Sequence, residues 1–397
     1  VTTVEELSAT PNALAAHYSR FRVAERLLLT GHSHQAWPDV ALRGQIEAFY
    51  DAAESVDRKW DRAFRKADAV RAGFRRFLAD PGAELALGAN THELVVRFLS
   101  ALDLRARPRL VTTDGEFHSV RRQLARIAEA DIEVVRVPAA PVDTLAQRLA
   151  AATDDRTAAV LVSAVLFETS RIVPGLDTLA TACARVGTEL LVDAYHAVGA
   201  IPFPLSELGL DAAWLVAGGY KYLQLGEGNC VLRIPPHGLA LRPVITGWYA
   251  EFGELSAEKA SDTVPYAAGA NRFAGATYDP TSHYRAAHVF DFFTDHDLTP
   301  EFLRRISLHQ TGLLADLCDK LDAPPSLLDR DRAPRTEFGG FLTLHSPQAA
   351  RIQRRLTEHG VHTDSRGPHL RLGPAPYLSD TQIESAVAAL GEVLREF

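Results

Sequence analysis

Leu190-Leu191-Val192-Asp193-Ala194-Tyr195-His196-Ala197-Val198-Gly199 is an apolar run that ends in a carboxylate, with a histidine three positions later. Further along, Ala217-Gly218-Gly219-Tyr220-Lys221-Tyr222-Leu223 closes another apolar run, this time on a lysine. Short continuous apolar runs of this kind are what a strand buried on both faces requires. With these two included, such runs lie at Leu85–Leu87, Arg109–Thr113, Ile132–Val137, Ala158–Leu166, Glu189–Val192, Ala213–Ala217 and Asn229–Ile234. Amphipathic stretches follow several of them, at Glu93–Leu102, Val120–Ala130, Asp143–Ala152 and Leu176–Val186. Strands alternating with helices predict right-handed crossovers and an α/β fold: a large domain with a mostly parallel sheet sandwiched by helices. Ligands of such sheets sit outside the carboxyl ends of the strands.

The flanks read differently. Residues 1–80 are mostly helical, with Trp60, Phe64, Val70, Phe74 and Phe77 on a helical period within Gln45–Ala79. From about residue 285 the order becomes helix (His288–Leu321), strand (Gly339–His345), helix (Pro347–His359), strand (His369–Gly373) and helix (Ser379–Phe397), a smaller C-terminal α+β domain. Pro235–Pro280, rich in Gly and Pro, is expected to be irregular and to rim the site. The expected division is an N-terminal segment 1–45, a large domain 46–280 and a small domain 281–397, joined in space by the N-terminal segment.

The 397 residues are 47% apolar and 23% charged, which excludes wholesale disorder, and a net charge of −8 argues against a general polyanion binder. No apolar run approaches the ~20 residues of a membrane-spanning helix, and no charged-then-apolar leader opens the sequence. Three scattered cysteines (Cys183, Cys230, Cys318) do not make a disulfide framework, so a cytoplasmic protein is expected. Only five of the 42 basic residues are lysines: Lys59, Lys66, Lys221, Lys259 and Lys320. A lysine in an apolar setting is therefore conspicuous, because Arg cannot readily become a neutral nucleophile.

Three segments carry chemistry. In Leu85-Ala86-Leu87-Gly88-Ala89-Asn90-Thr91-His92-Glu93 a strand meets a turn, and Asn90 with Glu93 three positions on forms a capping-box arrangement. That is an ordinary capped helix, or a phosphate site built from free backbone N–H groups and the Thr91 hydroxyl. Asp193 is either the cap of the next segment or a buried anion facing a protonated pyridine nitrogen. Lys221, between aromatics and glycines, is either a snorkelling surface residue or a lysine whose lowered pKa suits Schiff-base chemistry. A phosphate cradle followed by Asp and then Lys at strand ends converges on pyridoxal phosphate. His32-Ser33-His34 lacks a third metal-ligand cluster, so no metal is expected. Asp291–Asp297 reads as a solvated helix end.

The Asp193–Gly199 and Gly219–Leu223 runs resemble the fold type I pyridoxal-phosphate enzymes of the class V aminotransferase superfamily, and among them kynureninase, over about residues 25–395. The resemblance implies that Lys221 carries the cofactor covalently and that Asp193 pairs with its pyridine nitrogen. His196 would lie near its ring or phenolic oxygen, Phe117 would stack on its face, and Asn90, Thr91 and Tyr220 would lie at its phosphate. Ser163 falls where desulfurases carry an Asn beside the cofactor oxygen. Thr277, in Arg272-Phe273-Ala274-Gly275-Ala276-Thr277, resembles a residue that reaches the phosphate of a neighbouring subunit, implying a homodimer with the active site at the interface. Trp248 is similar to a Trp at the cofactor edge, and Arg371 matches the arginine that grips the substrate α-carboxylate. Taken singly, Phe117, Trp248 and Arg371 read as core packing or surface charge. His34 and Trp37 are substrate-pocket candidates.

Departures narrow the activity. The Arg272–Thr277 stretch is closer to desulfurases and epimerases than to the Ser-Asn-Pro-Pro segment of kynureninases. A desulfurase needs a nucleophilic Cys just before the carboxylate-binding Arg, and residues 359–371 contain none. The expected reaction acts on an amino acid, with α-proton abstraction by the lysine and cleavage at the β-carbon, as kynureninase-like hydrolysis or as β-elimination of the C–S lyase type. Class V transamination is the alternative. A non-catalytic cofactor-binding regulator would want a DNA-reading appendage, and the sequence offers neither a helix-turn-helix extension nor a basic patch.

Overall fold

The computed structural model describes residues 3–254 and 263–397, with only the backbone described at 252–254. The apolar runs of the middle region form seven strands of one sheet: β1 (Glu84–Gly88), β2 (Arg109–Thr113), β3 (Glu133–Val137), β4 (Thr157–Ser163), β5 (Glu189–Asp193), β6 (Trp214–Gly218) and β7 (Cys230–Ile234). Their spatial order is β1-β7-β6-β5-β4-β2-β3. The pairs β3/β2, β2/β4, β4/β5 and β5/β6 are parallel, and β7 alone runs against its neighbours β6 and β1.

The period of two along each central strand sorts its side chains into two cores. Val160, Val162, Leu190, Val192, Leu215 and Ala217 join one hydrophobic cluster, in which the helix Leu176–Arg185 places Leu179, Ala180 and Cys183. The residues between them, Ala159, Leu161, Leu191, Trp214 and Val216, join another with Leu94, Val95 and Phe98 of the helix Thr91–Ser100. All seven residues of β4 are buried, which explains why its sequence shows no polar alternation. Covering both faces leaves only the strand ends free to meet a ligand.

The helical period read across Gln45–Ala79 divides into two helices, Val40–Ser55 and Trp60–Phe77. The break is at Val56, whose φ of 46° no α-helix accommodates. The stretch expected as one helical region, His288–Leu321, begins earlier and also divides, into Thr281–Asp295 and Pro300–Cys318. Thr299 caps the second by accepting the Phe302 N–H, and Pro300 takes the first helical position, where no N–H is needed. Pro235–Pro280 holds only short 3₁₀ turns among its described residues.

The small C-terminal domain contains the antiparallel strands Leu342–His345, His369–Leu372 and Asp364–Arg366, with the helices Ala349–Glu358 and Asp380–Leu394. Leu27–Leu28 pairs in parallel with Val361–His362, and Gly31 and Gly373 are bonded backbone to backbone. Residues from the two ends of the chain thus lie side by side, and both reach the carboxyl edge of the large sheet.

Candidate active site

The carboxyl ends of β2, β4, β5 and β6 surround one narrow cleft whose lining includes Thr91, Phe117, Ser163, Asp193, His196, Tyr220 and Lys221. Gly218, at the end of β6, is required by packing: a Cβ there would lie 2.2 Å from the Tyr195 ring. The turn that follows delivers Lys221 into the cleft at 6% exposure. Its Nζ lies 4.5 Å from the centre of the Tyr195 ring and 5.5 Å from that of Phe117, and it is hydrogen-bonded to His196 Nε2 at 2.8 Å. Loss of water around the amine pulls its pKa down to about 7, against the opposing attraction of Asp193. Burial holds His196 well below the ordinary imidazole range, reinforced by the charge of Lys221, so the ring is neutral. When Lys221 donates to Nε2, the imidazole proton sits on Nδ1, which is buried and has no hydrogen-bond partner.

Asp193 stands at the end of β5 and accepts the Tyr195 N–H at 2.9 Å. Burial raises its pKa, with the backbone hydrogen bond and Lys221 pulling the other way. No salt bridge to it occurs among the described residues, so this anion lacks the contact cation that its setting calls for. Asn90 caps the helix Thr91–Ser100 as expected, accepting the Glu93 N–H at 3.0 Å. The reciprocal half of the box differs: Glu93 takes the Asn90 side-chain amide rather than its backbone N–H. Thr91, at the first position of that helix, lines the cleft. An uncompensated carboxylate, a buried amine, a flanking aromatic ring and a helix start fit pyridoxal phosphate.

Arg371 is 3% exposed and its charge reaches both Lys221 and His196. Asp364 holds it side-on, taking Nε–H at 2.8 Å and a second hydrogen from Nη2, while Nη1 donates to the Phe167 carbonyl at 2.5 Å. His34 is exposed and stacks on Tyr220 at 4.7 Å, at the edge of the cleft. Trp248 and Thr277 meet each other, Nε1 donating to Oγ1 at 3.0 Å, but neither lines the Lys221 cleft. Thr277 instead borders a separate cavity of about 500 Å³ together with Gly88, Ala89, Tyr249 and His283.

A family model described as the kynureninase C-terminal domain matches residues 303–390. Kynureninase from Pseudomonas fluorescens is 27% identical over 252 residues, 62% of this chain and 59% of that protein, so less than two thirds of that relative is spanned. Kynureninase from Geobacillus thermodenitrificans (strain NG80-2) is 26% identical over 334 residues, 80% of this chain and 75% of that protein. Among solved structures, a C-DES mutant with glycine covalently linked to its PLP cofactor superposes with a TM-score of 0.83 at 18% identity, covering 95% of this chain and 98% of that one. The cysteine desulfurase CsdA from Escherichia coli gives 0.77 at 16% identity with both chains fully covered. The chain is similar in sequence to kynureninases and shares the fold of these pyridoxal-phosphate proteins.

Residues that sequence reasoning overlooked also surround the cleft. Glu116 lies behind the cleft, bonded to Thr113 and Ser163. His32, expected only as half of an unsupported metal pair, is fully buried and bonded through Nε2 to Asp364 at 2.9 Å, while His34 faces outward. Burial lowers the His32 pKa to about 4, so this histidine too is neutral. Among the described residues no group of three or more His, Cys, Asp or Glu side chains could hold a metal ion. Trp37 is not in the pocket: it packs beneath the Arg285 guanidinium, 4.5 Å from its ring centre, and against Gly226. Asp364 faces Arg371 across the antiparallel pair turned at Gly367-Pro368, a local signal that sequence reasoning passed over, and the polar Glu116 between a strand end and Phe117 was a readable anomaly. No helix among the described residues is long and apolar enough to cross a membrane.

Proposed function

We propose that this enzyme cleaves its amino-acid substrate at the β-carbon, releasing a β-substituent after removal of the α-proton. The observation that carries the reading is the amine of Lys221, buried, pulled toward neutrality and placed in one cleft with Asp193 and His196. Bound pyridoxal phosphate supplies an electron sink conjugated to the substrate α-carbon. Lys221 would hold the cofactor at Nζ, and the same amine would accept the substrate α-proton. Asp193 would pair with the pyridine nitrogen and favour its protonated form, and Phe117 would supply an aromatic wall. His196 accepts from Lys221 and orients its amine. Asn90, Thr91 and Tyr220 would hold the phosphate, and Ser163 would lie at the phenolic oxygen. Arg371 receives the substrate carboxylate on the part of its donor fork that Asp364 leaves open.

The kynureninase relatives favour a hydrolytic course in which the Cβ–Cγ bond breaks and alanine leaves. The absence of Cys from residues 359–371 separates the chain from desulfurase chemistry. A homodimer fits two features. Leu42, Ile46, Phe49 and Tyr50 form an exposed apolar stripe on the helix Val40–Ser55, and Thr277 stands outside its own cleft, where a partner's phosphate would be the one within its reach. Three buried free cysteines accord with a reducing, cytoplasmic setting.

The test is to incubate the loaded enzyme with kynurenine, cysteine S-conjugates and simple amino acids. Release of anthranilate with alanine, or of pyruvate with the β-substituent, dependent on Lys221, is expected. Accumulation of pyridoxamine phosphate with a keto acid, and no β-cleavage product, would make the enzyme an aminotransferase instead.

A further inference from the structure

Glu116 is a buried carboxyl that the chemistry above does not use. At 2% exposure it sits between the ends of β2 and β4, where Oε1 accepts Thr113 Oγ1–H at 2.7 Å and the Ser163 N–H at 3.2 Å. Its other oxygen, Oε2, accepts the Ser163 hydroxyl at 2.6 Å. No cation contacts it among the described residues. The charged group facing it is Asp193, level with Ser163 across the β4/β5 pair. On its own segment, Asp114 and His118 are exposed, and Asp114 is turned to the Ala139 N–H. Ser163 lines the cofactor cleft; Glu116 stands one layer behind it.

A serine hydroxyl has a single proton. While Glu116 accepts that proton, Ser163 can offer the cleft only lone pairs. If Glu116 is itself protonated, it can donate to Ser163 Oγ, and the serine proton becomes free to point into the cleft. We propose that Glu116 is a positioning residue acting through Ser163, deciding whether that hydroxyl meets the cofactor as an acceptor or as a donor. Burial, opposed by the hydrogen bonds from Ser163 and Thr113, raises the Glu116 pKa to about 7, so both states are accessible near neutral pH. The inference depends on the cofactor occupying this cleft and not on which bond of the substrate is broken.

The experiment follows the visible absorption of the pyridoxal-phosphate-loaded enzyme across a pH titration in wild type, Glu116→Gln and Ser163→Ala. In Glu116→Gln the side-chain amide donates permanently to Ser163, so the spectrum should be fixed in the form wild type shows below about pH 7. In Ser163→Ala there is no hydroxyl to switch, so the spectrum should lack the wild-type transition near pH 7. A wild-type transition that persists unchanged in Glu116→Gln overturns the proposal, as does a Ser163→Ala spectrum that still moves between the two forms. Should Glu116→Gln fail to fold, the Ser163→Ala comparison decides alone. A wild-type protein that takes up no cofactor would overturn the cleft assignment itself, a separate result recognisable before any variant is made.

Discussion

Asp364 and His32 close around one side of Arg371: the aspartate holds the guanidinium through Nε and Nη2, and the neutral histidine bonds to the same Asp364 oxygen that takes Nε–H, at 2.9 Å. The arginine proposed to read a substrate carboxylate therefore already has a carboxylate of its own. In so buried a setting an unpaired guanidinium is costly, and Asp364 compensates for it when substrate is absent. The arrangement leaves the remaining Nη hydrogens as the face available to a ligand.

The first prediction concerns this pair. Asp364→Asn removes one partner of a buried ion pair and should destabilise the protein by roughly 3 kcal/mol, read as a lower denaturant midpoint at unchanged slope. Against the effect of burial, hydrogen bonds from His32 and Arg371 and the charge of Arg371 hold the Asp364 carboxyl well below its ordinary range. A depressed carboxylate contributes stability that is present above the usual carboxylate pKa and is lost as pH falls below it. The wild type–Asp364→Asn difference should therefore be constant at neutral pH and shrink in acid.

Arg371→Lys should raise KM for a carboxylate substrate on the order of 100-fold with a much smaller effect on kcat, because a point charge cannot replace a planar donor fork. Equal losses in kcat and kcat/KM would place Arg371 at the reacting centre instead.

The apolar stripe makes a prediction about assembly. Phe49 and Tyr50 are 71% and 67% exposed on a helix whose opposite side packs against the helix Thr281–Asp295. The double substitution Phe49→Glu, Tyr50→Glu should convert a dimer into a monomer by light scattering. If Thr277 serves the partner's phosphate, the monomer should also bind pyridoxal phosphate at least ~10-fold more weakly, and Thr277→Ala should weaken it without dissociating the dimer.

The lowered pKa of Lys221 has a stability consequence in the cofactor-free protein. Its ordinary value is 10.5 and its folded value about 7, so the native state binds fewer protons than the unfolded chain between these pH values. Stability should rise with pH across that window, and the penalty of a buried ammonium is complete below it. Lys221→Met should then be more stable than wild type at pH 6, by roughly 2–4 kcal/mol, and the advantage should fade toward pH 10.

Much of this was legible because apolar runs, caps and glycine turns are local. The seven large-sheet strands follow from continuous Val, Leu and Ala, and the Asp193 and Lys221 strand ends were evident as ionisable residues closing apolar segments. The helix breaks were less legible: Val56 adopts a positive φ that no local rule assigns to a β-branched residue, though Thr299-Pro300 was a readable start. Contacts between distant segments were not legible at all. Arg371 and Asp364 were near in sequence, but His32 joins them from the other end of the chain, and Glu116 meets Ser163 only because β2 and β4 are neighbours in the sheet. Trp37 was misplaced for the same reason, since its covering residue, Arg285, lies in a distant helix.

The most direct test is chemical. The protein is loaded with pyridoxal phosphate, reduced with borohydride and mapped by peptide mass spectrometry. With Lys59, Lys66, Lys221, Lys259 and Lys320 as the full set of lysines, the site is unambiguous. The phosphopyridoxyl group should be found on Lys221, and Lys221→Ala should lose both the label and the visible absorbance. A label on another lysine, or a protein that is still labelled to the same extent in Lys221→Ala, would contradict the account.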